Sequence, residues 1–163
     1  MRFYSDDPKA AERRPLYGFL LATLGVGATA SIFTEPNIRT WYADLVHPAI
    51  APPNWVFAPV WTTLYVMMGF AAWRVWRITG LRSTEMAAFG LQLFLNFCWS
   101  LIFFARHLIG PAFYEIVLLD LTILYTLLLF WRRDRVAGLL FLPYLAWVSF
   151  AALLNYRFWE LNG

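Results

Sequence analysis

Three groups of side chains recur at helical spacing in this sequence, and together they have the composition of a small-molecule site. Trp61 and Tyr65 are four positions apart, which places both on one face of a helix. The other two stripes are Gln92, Asn96, Trp99 and Phe103, and Trp147, Ala151 and Asn155. Aromatic walls with a few polar groups predict binding chemistry. The alternative is that the amides of Gln92 and Asn96 only hydrogen-bond neighbouring helices.

The elements that must position these side chains are membrane helices. Of the 163 residues, 61% are apolar and 14% are charged, a charged fraction well below that of a soluble domain. Crossing the hydrocarbon core takes about 20 helical residues. A β-barrel would instead alternate polar and apolar residues in pieces of roughly ten. The sequence therefore predicts an all-α fold, an integral membrane bundle of five transmembrane helices in a single domain, 1–163. The predicted helices are about 16–33, 55–76, 84–105, 108–131 and 136–158.

The first apolar segment has two interpretations. Arg13 and Arg14 precede it, and Ala28-Thr29-Ala30 near its end has the composition of a signal-peptide cleavage site. However, the segment is long for a signal core. Gly18, Ala22 and Gly25 would also allow another helix to approach closely, which favours a retained helix.

The basic residues predict the orientation in the membrane. Ten lie on one side, namely Arg2, Lys9, Arg13, Arg14, Arg74, Arg77, Arg82, Arg132, Arg133 and Arg135. Only Arg39, Arg106 and Arg157 lie on the other. The positive-inside rule therefore places the N-terminus in the cytoplasm and the C-terminus outside a bacterial membrane. The net charge of +3 then reflects topology, and no nucleic-acid partner is expected.

The longest connection, residues 34–54, is predicted to be a folded lid on the outer side. Pro36, Pro48, Pro52 and Pro53 argue against a continuous helix there. Trp41 and Tyr42 are too apolar for a loop that only contacts water. The lid either anchors the protein at the headgroup level or covers a pocket between the helices.

The sequence contains no conventional catalytic constellation. His47 and His107 fall in connections, so neither can hold a haem iron inside the membrane. Cys98 is the single cysteine and lies in an apolar helix. Asp120 is the one acid predicted at membrane depth, where it is either a working acid or a neutral or paired one. Glu115 is close enough to its helix start to reach the interface.

Four runs in the same order closely resemble the TspO family, also called tryptophan-rich sensory proteins, whose animal members are mitochondrial translocator proteins. They are "TWYADLVHP", "PPNWVFAPVWTTLYVMMGFAAW", "LQLFLNFCWSLIFF" and "LPYLAWVSFAALLNY". The resemblance covers roughly residues 16–159. It implies five helices, commonly a homodimer, and binding of porphyrins such as protoporphyrin IX or haem, with sterols and drugs as further ligands in animals. Bacterial members are linked to stress signalling.

The resemblance also implies site residues. The family's pocket positions are matched here by Trp41, Tyr42, Trp61, Asn96 and Trp147. Many members have Lys-Pro-x-Trp in the lid where this chain has His47-Pro48-Ala49-Ile50, so one aromatic wall of the lid is missing. The C-terminal sterol pattern is incomplete, because Arg157 follows Tyr156 directly.

We therefore expect a membrane tetrapyrrole-binding protein, acting as a stress sensor, regulator or carrier. No obligatory cofactor is expected, and membrane lipids are expected as surroundings. Light-dependent porphyrin breakdown is a further activity that some family members are thought to promote. The alternative is a transporter of a small solute, lipid or sterol that uses Asp120 as a coupling acid. Together with Trp41 and Tyr42 of the lid, the predicted ligand-binding residues are Trp61, Tyr65, Gln92, Asn96, Trp99, Phe103, Trp147 and Ala151.

Overall fold

The computed structural model describes residues 8–163, with side chains from Arg14 onward, and it confirms the all-α fold. Five helical segments are long and apolar enough to cross a membrane. The α-helices are α1 (Pro8–Ile38), α2 (Trp41–Asp44), α3 (Phe57–Thr79), α4 (Thr84–Ser100), α5 (Ile109–Arg133) and α6 (Arg135–Asn162). A 3-10 turn, Asn54–Val56, leads into α3, and a π-helical turn, Leu101–Ala105, ends α4. The predicted basic residues Arg2, Lys9 and Arg13 lie outside the described side chains.

Helix α1 continues through Pro36, beyond the predicted end at residue 33. A proline inside a helix removes the hydrogen bond that its N–H would donate one turn back. Two side chains reinforce this turn, since Asn37 Nδ2 donates to the carbonyl of Phe33 at 2.8 Å and Thr40 Oγ1 donates to that of Pro36 at 3.0 Å. The lid is therefore shorter than predicted, and we use the name for residues 39–53.

The packing face of α1 differs from the predicted one. A Cβ atom at Gly27 would lie 2.5 Å from Cε2 of Tyr65, and one at Gly69 would lie 2.8 Å from Oγ1 of Thr23. These two glycines therefore let α1 and α3 approach closely. A Cβ atom at Gly18 or Gly25 would meet nothing within 4 Å, so these glycines do not serve packing between the described helices of this chain.

The half of the bundle far from the lid contains a dense core. Phe130, Phe141 and Tyr144 are fully buried there, together with small residues such as Ala72 and Ala137. The rings of Phe130 and Phe141 are 5.0 Å apart between centroids, in an edge-to-face arrangement. Because lipid tails are as apolar as the core, close contact rather than escape from water stabilises this packing.

Two ion pairs close the end of the bundle opposite the lid. Arg74 contacts Asp134 at 2.8 Å, and Arg133 contacts Glu85 at 2.6 Å. Asp134 also caps α6 by accepting hydrogen bonds from the backbone N–H groups of Val136 and Ala137. Burial alone would raise the pKa of Asp134, but the bonds from Arg74 and the backbone outweigh it and lower that pKa.

The π-helical turn at the end of α4 shapes the space under the lid. Such turns insert an extra residue into a helix and are frequent at functional sites. Here the turn contains Phe103 and Phe104, both of which are buried. The chain then reverses at His107, whose φ of 54° is left-handed. The turn thus brings two aromatic rings to the space between the lid and the core.

Candidate ligand cavity

A cavity of about 480 Å³ lies between the lid and the dense core. Its walls come from α1, α3, α4 with its π-helical turn, and α6, and Tyr42 of α2 contributes from the lid. The volume falls within the range of about 300 to 1,000 Å³ that is typical of small-molecule sites.

Eight of the ten predicted site residues line this cavity, namely Tyr42, Trp61, Tyr65, Asn96, Trp99, Phe103, Trp147 and Ala151. Gln92 and Trp41 do not line it. The three groups of side chains predicted from helical spacing therefore converge on one cavity.

A chain of hydrogen bonds forms the floor of the cavity. Tyr65 donates to Oδ1 of Asn96 at 2.5 Å, and Nδ2 of Asn96 donates to the hydroxyl of Tyr144 at 3.1 Å. Tyr144 in turn donates to Oε1 of Gln92 at 2.8 Å. The chain joins α3, α4 and α6. Asn96 thus both faces the cavity and bonds neighbouring helices, whereas Gln92 lies one turn deeper and only supports the chain.

A second polar link holds the wall formed by α4 and α6. The indole N–H of Trp99 donates to Oδ1 of Asn155 at 3.1 Å, and Nδ2 of Asn155 donates to the carbonyl of Ile109 at 2.9 Å. Trp99 also stacks on Phe103 at 5.3 Å between ring centroids. These bonds fix the plane of the Trp99 ring before any ligand arrives.

Trp147 is a lining residue with a buried, unused donor. Its Nε1 atom is buried and has no hydrogen-bond partner among the described residues. A buried N–H without a partner is costly. A ligand that placed an acceptor here would remove that cost.

The lid closes the top of the cavity. Tyr42 is buried against Phe103, Phe104 and Phe158. Burial raises the pKa of Tyr42 to about 12, so its hydroxyl stays protonated. His47, on the exposed side of the lid, packs edge-on against the rings of Tyr42 and Phe158.

Trp41 lies behind the cavity wall and is separated from the cavity by the ring of Phe103. Its ring stacks on His107 at 4.3 Å between centroids and contacts Phe103. His107 is itself bonded through Nε2 to Oδ1 of Asn37 at 2.9 Å. Trp41 therefore joins the lid to the turn between α4 and α5 and is not a wall of the cavity.

The wall from α1 was missed by sequence reasoning. It contains Gly27, Ala28, Ala30, Ser31 and Thr34, with Glu35 near the lid. These side chains are small and carry no pattern typical of a binding site. Gly27 is the residue that fixes this wall, because the ring of Tyr65 leaves no room for a Cβ atom there, but only the structure distinguishes it from the other glycines of α1.

The two acids of α5 lie outside the cavity lining. Asp120 accepts hydrogen bonds from Oγ of Ser149 at 2.9 and 3.1 Å, so it is paired with α6. Both carboxylate oxygens of Glu115 are buried and have no partner among the described residues. The expectation that Glu115 reaches the interface is therefore wrong. In the described part of the chain, no three His, Cys, Asp or Glu side chains could together hold a metal ion.

Comparison with known proteins gives a consistent assignment. The profile of the TspO/MBR family matches residues 19–160. The tryptophan-rich protein TspO of Chlorobaculum tepidum is 42% identical over 143 residues, covering 85% of this chain and 90% of that protein. The translocator protein of Homo sapiens is 36% identical over 152 residues, covering 91% and 90%. The tryptophan-rich sensory protein of Cereibacter sphaeroides is 35% identical over 147 residues, covering 90% and 91%.

Proposed function

Because this chain belongs to the TspO/MBR family, we propose that it is a membrane sensor or carrier whose cavity binds a flat tetrapyrrole such as protoporphyrin IX or haem. The observation that carries the proposal is the convergence of Trp61, Trp99 and Trp147 on one cavity inside the membrane spans. Large flat rings gain most from aromatic walls, because stacking adds to the burial of apolar area.

Most of the lining is preorganised for such a ligand. Trp99 is fixed by Asn155, and Tyr65 is fixed by Asn96, so neither ring has to be ordered when a ligand binds. The free N–H of Trp147 would donate to a ring nitrogen or a carbonyl oxygen. No His, Cys or Met side chain is among the lining residues, so contacts with the ring, rather than an iron ligand of those types, would hold haem.

Quenching of tryptophan fluorescence tests the proposal. Purified protein in nanodiscs is titrated with protoporphyrin IX, in the wild type and in three variants. Trp147→Phe should weaken binding by about two- to tenfold, because a smaller ring replaces the indole in a stacking contact worth roughly 0.5–1.5 kcal/mol and the free donor is removed. Asn96→Ala should also weaken binding, because the ring of Tyr65 loses its partner.

Trp159→Phe is the matched control, because Trp159 lies against Phe113 and Tyr114 and does not line the cavity. It should leave the affinity unchanged. Equal losses in all three variants would mean that quenching reports partitioning of porphyrin into the disc, and the site would then be rejected.

We also propose a more specific activity, the light-dependent breakdown of the bound porphyrin. Tryptophan rings beside a photosensitiser would be within reach of the oxidising species that light and oxygen generate. The measurement is the loss of porphyrin absorbance under illumination in air, with Trp147→Phe as the variant and darkness as the control. Equal rates with and without protein would exclude the activity.

A transporter that uses Asp120 as a coupling acid has less support. The carboxylate of Asp120 is bonded to Ser149 and does not line the cavity. If Asp120 coupled transport, Asp120→Asn would abolish proton-dependent uptake of a solute by vesicles. We expect Asp120→Asn to leave porphyrin binding unchanged.

We also propose that the N-terminus is cytoplasmic, that the C-terminus and the lid face outward, and that the protein is a homodimer in a bacterial membrane. Asn162, in the last turn of α6, bonds the lid at Val46, so the end of α6 and the lid lie on the same side. A reporter fused at the C-terminus should be active only outside the cytoplasm, and activity inside the cytoplasm would contradict this orientation.

Native mass spectrometry of nanodiscs should give twice the monomer mass, and a monomer mass would exclude the dimer.

A further inference from the structure

The cavity is open along one side and closed elsewhere. The lining residues that are exposed belong to two short segments only. They are Leu24, Ala28, Ser31 and Glu35 of α1, and Ala58 and Thr62 of α3 with Asn54 of the 3-10 turn before it. The lining residues contributed by α2, α4 with its π-helical turn, and α6 are buried or half-buried. The opening is therefore a slot between α1 and α3.

The slot faces the membrane rather than water. Its residues lie within the spans Arg14–Ile38 and Asn54–Thr79. From Ala28 to Glu35, at 1.5 Å of rise per residue, the slot is about 10 Å long. Below it, Gly27 and Tyr65 bring the two helices into contact, so the dense half of the bundle limits the slot.

The hydroxyl groups at the edges of the slot are already hydrogen-bonded. The hydroxyl of Ser31 donates to the carbonyl of Ala28 at 2.7 Å, and that of Thr62 donates to the carbonyl of Ala58 at 2.8 Å. Both hydroxyls are thus satisfied within their own helices. The flat face of a tetrapyrrole can pass such edges without breaking a hydrogen bond between helices, and the remaining polar side chains of the slot, Glu35 and Asn54, lie at its lid end.

The lid, by contrast, is tied down. The backbone N–H of Val46 donates to Oδ1 of Asn162 at 2.8 Å, and Nδ2 of Asn162 donates back to the carbonyl of Val46 at 3.1 Å. Trp41 stacks on His107, which is bonded to Asn37. Opening the lid would break these contacts and would expose Tyr42, which is 5% exposed.

We propose that the tetrapyrrole enters and leaves the cavity sideways, from the bilayer through the slot between α1 and α3, while the lid stays closed. This inference rests on the proposed function. The slot is then the entrance, the lid is a fixed cap, and the membrane is the reservoir from which the ligand is drawn.

Exchange kinetics test the proposal. Protoporphyrin IX association is followed by stopped-flow quenching in nanodiscs, and dissociation by fluorescence recovery after adding excess empty liposomes. The double variant Ala28→Phe/Ala58→Phe fills the slot with two rings. It should slow both association and dissociation at least tenfold, because a narrower entrance raises the barrier to passage in either direction, whereas damage to the bound state would speed dissociation.

Two further variants make the test decisive. Ala22→Phe adds a ring to α1 at an exposed position outside the cavity lining, and it should exchange at the wild-type rate. Asn162→Ala removes both bonds to Val46, and it should also exchange at the wild-type rate if the lid stays closed.

Three outcomes would overturn the inference. Faster exchange in Asn162→Ala together with wild-type exchange in the slot variant would make the lid the entrance. Equal slowing in Ala22→Phe and the slot variant would assign the effect to the bilayer. Absence of saturable quenching in the wild type would reject the proposed function itself, and the entrance with it.

Discussion

The two halves of this bundle use the same residue types for opposite purposes. In the half far from the lid, Phe130 and Phe141 fill all the space between α5 and α6. In the lid half, Trp61, Trp99 and Trp147 surround a space that they leave open. Aromatic content therefore does not distinguish a core from a cavity. The difference comes from how closely the backbones approach.

Small residues set that approach. Ala72 and Ala137 are fully buried in the dense half, and a Cβ atom at Gly138 would lie 2.7 Å from Trp131. In the lid half, the π-helical turn displaces the end of α4, and α1 carries small residues where its wall meets open space. The chain of Tyr65, Asn96, Tyr144 and Gln92 lies between the halves and marks where packing ends.

The largest expected effect is a loss of stability in the dense half. Phe130→Ala removes a ring that contacts Phe89 and Phe141 and leaves a hole that the neighbours cannot fill. We expect the free energy of unfolding to fall by about 3–5 kcal/mol. Leu24→Ala at the slot should cost under about 1 kcal/mol, because Leu24 is 37% exposed and faces open space. Reversible unfolding in mixed micelles measures both, and equal losses would remove the distinction between the halves.

A second, smaller effect is expected at the boundary between α1 and α3. Gly27→Ala places a methyl group 2.5 Å from the Tyr65 ring, so the ring must move away from Asn96. We expect a loss of about 1–3 kcal/mol in stability and weaker porphyrin quenching.

Gly25→Ala is the matched control. It lies two residues away on the same helix and meets open space, so it should be neutral or stabilising by up to about 1 kcal/mol. If Gly27→Ala were as well tolerated as Gly25→Ala, the close contact at Tyr65 would be wrong.

The sequence predicts the helices and most of the cavity because both depend on local geometry. Helical spacing alone brought Trp61 together with Tyr65, and Asn96 with Trp99. It could not give the depth at which the cavity ends, so Gln92 was placed in the lining although it lies one turn below. Glycine spacing was also ambiguous, since Gly25 and Gly27 differ only in what the neighbouring helix presents.

The π-helical turn and the tethered lid depend on contacts distant in sequence. The bond from Val46 to Asn162 joins the first connection to the last helical turn, and no local pattern predicts it. The same holds for the wall from α1, whose residues face the cavity only because Gly27 sets the crossing with α3.

The smallest effect expected here concerns pH, and it tests the ion pair of Asp134 at the end of the dense half, opposite the lid. The pKa of Asp134 is lower in the folded protein than in the unfolded chain, where it is about 3.9. Its ion pair with Arg74 therefore stabilises the fold fully above that value, and this contribution is lost as pH falls through the lower folded pKa. Asp134→Ala, which also removes the cap of α6, should cost about 0.5–2 kcal/mol at pH 7. The difference in unfolding free energy from the wild type should shrink below about pH 4, as the wild-type carboxylate becomes protonated.

Asp134→Asn keeps a capping oxygen without the charge, so it should recover part of the stability lost in Asp134→Ala at pH 7. Unfolding measured from pH 7 to pH 3 checks this, and a difference that stayed constant over that range would show that Asp134 stabilises the fold without its charge.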